Sequence, residues 1–255
     1  MIGKILGSGQ LGKLASFVSP AFFDVMPAKA LWNRSRKLLA STRDREAYRH
    51  AVAERSAELS RTLPEIELAT DGKPAAHGGV AGGSPEARGE RVLELYFHQL
   101  FRGQTVLLDL RSSAFTAAGE KLIWHPASWL AEWSPEFISA LRDIYRGFYA
   151  HDDALFRAGL AALSLTHSED LFRKHFGGDQ ARMTFRTVDF VDTFHQVFQR
   201  CKQARVALHA DFLPLGIYLA ALYDHLEDLA VAVDVAAAFE RATRASSENT
   251  EALHA

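Results

Sequence analysis

Apolar residues recur at helical spacing along most of this chain, and the breaks in that rhythm mark its joints. In WSPEFISALRDIYRGFY, Phe137, Leu141, Ile144 and Phe148 make one buried stripe, with Ser134 placed as N-cap and Pro135 at the first helical position. VDFVDTFHQVFQRCK repeats the stripe at Phe190, Phe194, Val197, Phe198 and Cys201, opposite polar Asp192, Gln196, Gln199 and Gln203. PLGIYLAALYDHLEDLAVAVDVAAAFERA predicts one or two helices, apolar all round at first and therefore central. Asp152 or Asp153 can cap ALFRAGLAAL, and THSE (Thr166 to Glu169) has capping-box spacing for a helix that Gly177 and Gly178 stop. TVLLDL and KLIW, on either side of Gly119, read instead as the two strands of a hairpin.

Upstream, Pro27 starts the helix AKALWNRSRKLLAS, and STRD (Ser41 to Asp44) has capping-box spacing ahead of REAYRHAVAERSAELSRTL. Tyr48, Val52 and Leu59 share a face that Arg45, Arg49 and Glu54 leave, so this pair of helices needs a surface to dock on. ATDGKPAAHGGVAGGSPEARGE is rich in Gly and Pro and offers almost nothing to bury. The reading is a mainly α chain: an N-terminal basic helical arm over 1–68, a flexible linker over 69–90, a helical domain with one short β-hairpin over 91–245, and a frayed tail over 246–255.

Charge adds one asymmetry. Residues 1–60 carry ten Lys and Arg against five Asp and Glu, while 221–255 carry two against seven. The arm is therefore expected to dock on the acidic C-terminal region or on a partner. The single cysteine, Cys201, excludes an intramolecular disulfide and any Cys-cluster metal site, and its apolar neighbours make it a core residue. The best uncharged run, Phe212 to Tyr223, is too short to span a bilayer, and the N-terminus makes a poor secretory signal, so a cytoplasmic protein is expected.

Candidate chemistry is sparse. GSGQLG (Gly7 to Gly12) matches G-x-G-x-x-G, but no second strand with a terminal acid follows it, so no phosphate loop is expected. Ile2, Ile5, Leu14, Phe17 and Phe22, with Lys4 and Lys13, could instead touch a membrane surface, peripherally at the inner membrane. Asp192 with His195 and His225 with Asp228 have the i, i+3 spacing of helical metal ligands, and Glu94 with His98 the i, i+4 spacing. On the helical wheel Asp192 faces solvent and no carboxylate-rich partner helix appears. His151, with His125 and Asp211, suggests a phosphohydrolase-like His-Asp set, although Asp152 and Asp153 have capping work to do. Arg34, Arg36, Lys37, Arg43, Arg45 and Arg49 are mixed with acids and lack interleaved aromatics, so nucleic acid is not an expected partner. No nucleophile elbow or Cys–His arrangement is present.

From residue 91 the order of features resembles the C-terminal lobe of the UbiB/AarF-type atypical kinases. VLELYFHQLFRGQ is similar to the helix those proteins place before their catalytic loop, and TAAGEKLIW to the strand-turn-strand after it. LAEWSPEFISALRDIYRGFYAHDDALFRAGLAALSL and LHADFLPLGIYLAALYDHLEDLAVAVDV are similar to the later helices. The resemblance implies a catalytic loop within TVLLDLRSSAF, yet its aspartate falls at Leu107, with Asp109 one strand step away, and its asparagine at Ser112. The magnesium-binding Asp-Phe-Gly falls at His125, Pro126 and Ala127. A nucleotide lobe with its lysine is missing from the upstream segment, where GSGQL only echoes the family's Lys-x-Gly-Gln. Phosphoryl transfer needs those groups to position and neutralise the phosphates. The resemblance thus implies a pseudokinase-like interaction or regulatory protein with no cofactor and a protein partner. The alternatives are a metal-dependent helical enzyme built on His195 or His225, and a peripheral membrane factor of the isoprenoid-quinone kind that such relatives serve.

Overall fold

The computed structural model describes residues 20–69, 83–178 and 180–251. The arm supplies α1 (Pro20–Val25), α2 (Ala28–Ser41), α3 (Arg45–Thr62) and a short strand β1 (Ile66–Leu68). Then come α4 (Pro85–Arg102), β2 (Thr105–Leu107), β3 (Phe115–Ala118), β4 (Lys121–Trp124) and β5 (Leu130–Glu132). The remainder is α5 (Pro135–Tyr149), α6 (Asp153–Ala162), α7 (Glu169–His175), β6 (Met183–Thr184), α8 (Thr187–Ala204), α9 (Phe212–Leu229), β7 (Ala232–Val233) and α10 (Val235–Glu251). The fold is mainly α, and among the described residues no helix is long and apolar enough to cross a membrane.

Several local expectations are corrected. TVLLDL and KLIW are not partners. β4 forms its hairpin with β3 around Gly119, whose φ of 62° suits the tight turn, while β2 pairs antiparallel with β5. β1 joins β4 in parallel, Ile66 opposite Leu122 and Leu68 opposite Trp124, so the arm completes the sheet of the domain. Asp44, not Ser41, caps α3, accepting the Ala47 N–H at 2.9 Å. Thr166 makes no cap; it opens a 3₁₀ turn, and Glu169 binds Arg157 and Arg173 instead. Helix α4 begins inside the stretch read as linker, with Ser84 accepting the Ala87 N–H, and α10 runs through to Glu251 in the stretch read as frayed. Residues 70–82 and 252–255 lie outside the described residues.

Other expectations stand. Asp152 caps α6 by accepting the Leu155 N–H. Phe190, Phe194, Phe198 and Cys201 are core, and burial pushes the Cys201 thiol up to about 11. Helices α5 and α6 cross at backbone contact: a Cβ on Gly147 would lie 2.3 Å from the Phe156 nitrogen, so only glycine fits.

Arm and domain share one hydrophobic core. Phe22, Val25, Leu38, Val52 and Leu59 of the arm are buried with Leu95, Trp124, Phe137 and Tyr218 of the domain. Within it Gln99 ties α4 to the strand it precedes. Its carbonyl accepts the Leu107 N–H, and its amide donates to the Leu107 carbonyl and the Tyr218 hydroxyl. A fully buried amide satisfied in this way fixes β2, and with it the loop that follows.

Candidate functional site

The resemblance places a catalytic loop within Thr105 to Phe115, which runs from β2 into β3 and packs against the loop between β4 and β5. Leu108 donates its N–H to the Trp129 carbonyl at 2.8 Å, and the Trp124 indole donates to the Asp109 carbonyl at 2.7 Å. The Asp109 carboxylate, 1% exposed, accepts Arg111 Nε at 2.7 Å, Arg111 Nη2 at 2.8 Å and the Ala127 N–H at 2.9 Å. Three donors thus occupy most of its lone-pair positions. The Arg111 guanidinium lies 4.3 Å over the Trp129 ring. Next to it His225 donates from Nδ1 to the Leu110 carbonyl at 2.9 Å. Burial lowers the His225 imidazole to about 4, so it is neutral at pH 7.

The arm covers this loop. Tyr48 donates its hydroxyl to the Pro126 carbonyl at 2.6 Å, Ser128 donates to the Thr42 carbonyl at 3.1 Å, and Ser41 donates to the Leu130 carbonyl at 2.6 Å. Burial first, and the nearby Asp109 charge second, raise the Tyr48 phenol and keep it protonated. Arg34 reaches the Glu132 carbonyl at 2.6 Å and Asp211 at 2.7 Å, and Asp211 in turn accepts the Ser134 N–H and hydroxyl. The arm therefore docks on its own chain, but at Glu132 and Asp211 rather than on the acids of 221–255 as charge had suggested. Two of those acids hold groups of the domain itself: Asp228 accepts Ser112, and Glu227 accepts Thr187.

Two grooves run beneath α3 and share Ala51, Glu54, Thr105 and Leu130 in their walls. One, of about 320 Å³, adds Arg34, Lys37 and His50. The other, of about 560 Å³, adds Arg55, Glu58, Arg61 and Arg102. Arg55 Nη1 meets Glu58 Oε2 at 2.5 Å, and Arg55 Nη2 donates to the Thr105 carbonyl at 3.1 Å. Behind Arg55 and Arg102, His98 shares a 2.8 Å hydrogen bond with Thr62; burial, with Arg55 and Arg102 adding to it, lowers its imidazole to about 3.

The metal candidates are not brought together, and among the described residues no group of three or more His, Cys, Asp or Glu could hold a metal ion. Asp192 and His195 are exposed on α8, whereas His225 is buried against Leu110 and Asp228 is at the surface. Glu94 pairs with Arg241 and His98 with Thr62. His151 is exposed, His125 contacts Thr116, and Asp211 holds Arg34. Phe22, grouped with the membrane-touching leader, is 2% exposed and packs on Phe198; the leader's other residues and GSGQLG lie outside the described residues. Sequence reasoning missed Tyr48 as a cover, Arg111 and Trp129 as the clamp on Asp109, and the basic set Arg55, Arg61 and Arg102. The i, i+3 pair Arg55 and Glu58 was a local signal; Arg102 joins them only through folding. No family model matches the chain, and no curated protein matches it in sequence.

Proposed function

We propose that this chain is a non-catalytic, pseudokinase-like helical protein that regulates through a protein partner, its domain derived from a C-lobe of the UbiB/AarF type. The carrying observation is the state of Asp109: the nearest carboxylate to the resemblance's catalytic position is sealed by Arg111, Trp129 and the Ala127 amide. A base must reach the proton it takes, and this one cannot. The order α4, β2, loop, β3–β4 hairpin supports the kinship, since a helix, a loop and a strand-turn-strand recur there in that sequence. At the position of the magnesium ligand stand His125, Pro126 and Ala127, and Pro126 is bound by Tyr48 of the arm.

What the arm turns outward suits a protein partner. Trp32 is 53% exposed, and on the same helix Asn33, Arg36, Lys37 and Ala40, with Arg43 just past its end, line a surface groove of about 500 Å³. An exposed tryptophan beside arginines is the composition of an interface anchor, here for an acidic partner. Phosphate release from ATP with magnesium tests the reading. The protein and D109N should both match the protein-free blank, and turnover that D109N abolishes would overturn it.

A further inference from the structure

We propose that the groove between α3 and the α4–β2 junction binds a small phosphate-bearing molecule through Arg55, Arg61 and Arg102, and that this ligand fastens the arm to the domain. Three guanidinium groups line the groove against the carboxylates of Glu58 and Glu54, which leaves an excess of positive charge. Glu54 is engaged elsewhere, 3.3 Å from His50. Glu58 gives its short contact to Arg55, while its other oxygen stands 3.9 Å from Arg102 Nε, beyond hydrogen-bond reach.

Arg102 is the residue that asks for a ligand. Its side chain is 12% exposed, and its Nε and Nη2 are covered without a hydrogen-bond partner. Leaving a buried charged donor unmatched is costly. The α4 C-terminus, which could have matched it, is already occupied: Arg142 donates to the Leu100 carbonyl at 2.7 Å and to the Gly103 carbonyl at 2.9 Å. Burial lowers the Arg102 guanidinium, Glu58 opposes that, and Arg55 and Arg61 reinforce it, as expected where positive groups crowd around one carboxylate. An anion in the groove relieves all three.

Shape agrees with charge. At Gly103 a Cβ would stand 3.0 Å from Arg55 Nη2 and 3.3 Å from the Thr105 carbonyl, so glycine keeps the groove floor open. The planar fork of arginine matches phosphate oxygens, and Leu107, Leu130 and Ala57 offer apolar wall to the rest of a small molecule. Neither groove is lined by Phe, Tyr or Trp, so a base would find none of those rings to stack on. The class is therefore a phosphomonoester or pyrophosphate of low molecular weight rather than a nucleotide or nucleic acid. Arg55 and Arg61 come from the arm and Arg102 from the domain, so one bound anion spans the joint.

The test is calorimetric titration of the full chain with inorganic phosphate, pyrophosphate and glycerol 3-phosphate at low salt. Saturable binding is expected, weakened about tenfold by R61Q or R102Q, because a hydrogen bond to a charged group is worth at least that factor. Arg61 is exposed, so R61Q keeps the test alive if R102Q folds poorly. E58Q should tighten binding, and R43Q on the groove of α2 should leave it unchanged. Absence of saturable binding, or equal weakening by R43Q and R61Q, overturns the proposal. Because the readout is binding without magnesium, it stands or falls separately from turnover at Asp109.

Discussion

Replacing Asp109 by alanine removes both guanidinium hydrogen bonds, at 2.7 and 2.8 Å, and the acceptor of the Ala127 amide at 2.9 Å. Arg111, 7% exposed, then loses the carboxylate that offsets its charge, while the Trp129 face stays over it. Breaking a buried pair by deleting one partner costs about 3–5 kcal/mol. The Arg111–Trp129 contact holds the loss toward the lower end, since cation–π attraction is worth about 0.5–2 kcal/mol. The expected cost of D109A is therefore about 3 kcal/mol, a large share of a typical stability of roughly 5–15 kcal/mol. D109N keeps an oxygen for the Ala127 amide and should cost less. The double variant D109L/R111M, which removes both charges and keeps apolar volume, should recover most of the loss. Urea unfolding at pH 7, followed by circular dichroism with the slope held common, measures all of these. If D109A falls within about 0.5 kcal/mol of the parent, the range of an ordinary surface substitution, the carboxylate is not sealed and the argument for a non-catalytic loop fails with it.

Acid should destabilise the protein before its carboxylates titrate. The imidazoles of His175 and His225 are lowered by burial from 6.5 to about 4, and that of His98 to about 3. Between those values and 6.5 the unfolded chain binds protons that the folded chain refuses, so stability is full above about pH 6.5 and falls as pH drops toward 4. Each histidine contributes a loss of about 2 kcal/mol from pH 7 to pH 5, so H225Q should flatten the pH dependence of the urea midpoint, and an unchanged slope refutes the account. G147A should destabilise by more than the roughly 1–3 kcal/mol of ordinary overpacking, because the obstacle is backbone; a thermal midpoint within a degree of the parent would show that α5 and α6 are not in contact there. Y48F deletes one hydrogen bond to Pro126 and should cost about 1 kcal/mol, with faster amide exchange at 127–130; unchanged exchange would mean that the arm does not protect the loop.

Where local chemistry dictated the outcome, the sequence was readable. The stripe of α5, the Asp152 cap and the core face of α8 each depend on residues within a few turns, and each forms as read. The strands were harder. Thr105–Leu107 is three residues long and finds its partner at Leu130–Glu132, across an intervening hairpin, so no short-range pattern reveals the pairing. Ile66–Leu68 is equally short and pairs in parallel with a strand on the far side of a helix. The site shows the same division. Asp109 and Arg111 are two residues apart and visible together, but Trp129, the Ala127 amide and Tyr48 reach them only through the fold. Net charge misplaced the arm because the acids that receive it, Glu132 and Asp211, lie outside the most acidic stretch.

The Val25 carbonyl accepts the N–H of Leu208, and α1 lies on α8. On a ribosome this closure has an order in time. Phe22, Val25 and Met26 leave the exit tunnel long before the helix that buries them has been translated, and at roughly 5–20 residues per second the interval is on the order of ten to forty seconds. Through that interval the nascent chain carries a short greasy segment with no home, which is the kind of stretch that chaperones shield. The contact that seats α1 in the core is therefore a late one, open only once Leu208 has been made, and synthesis rate, not only sequence, sets how long the chain is exposed to misassembly.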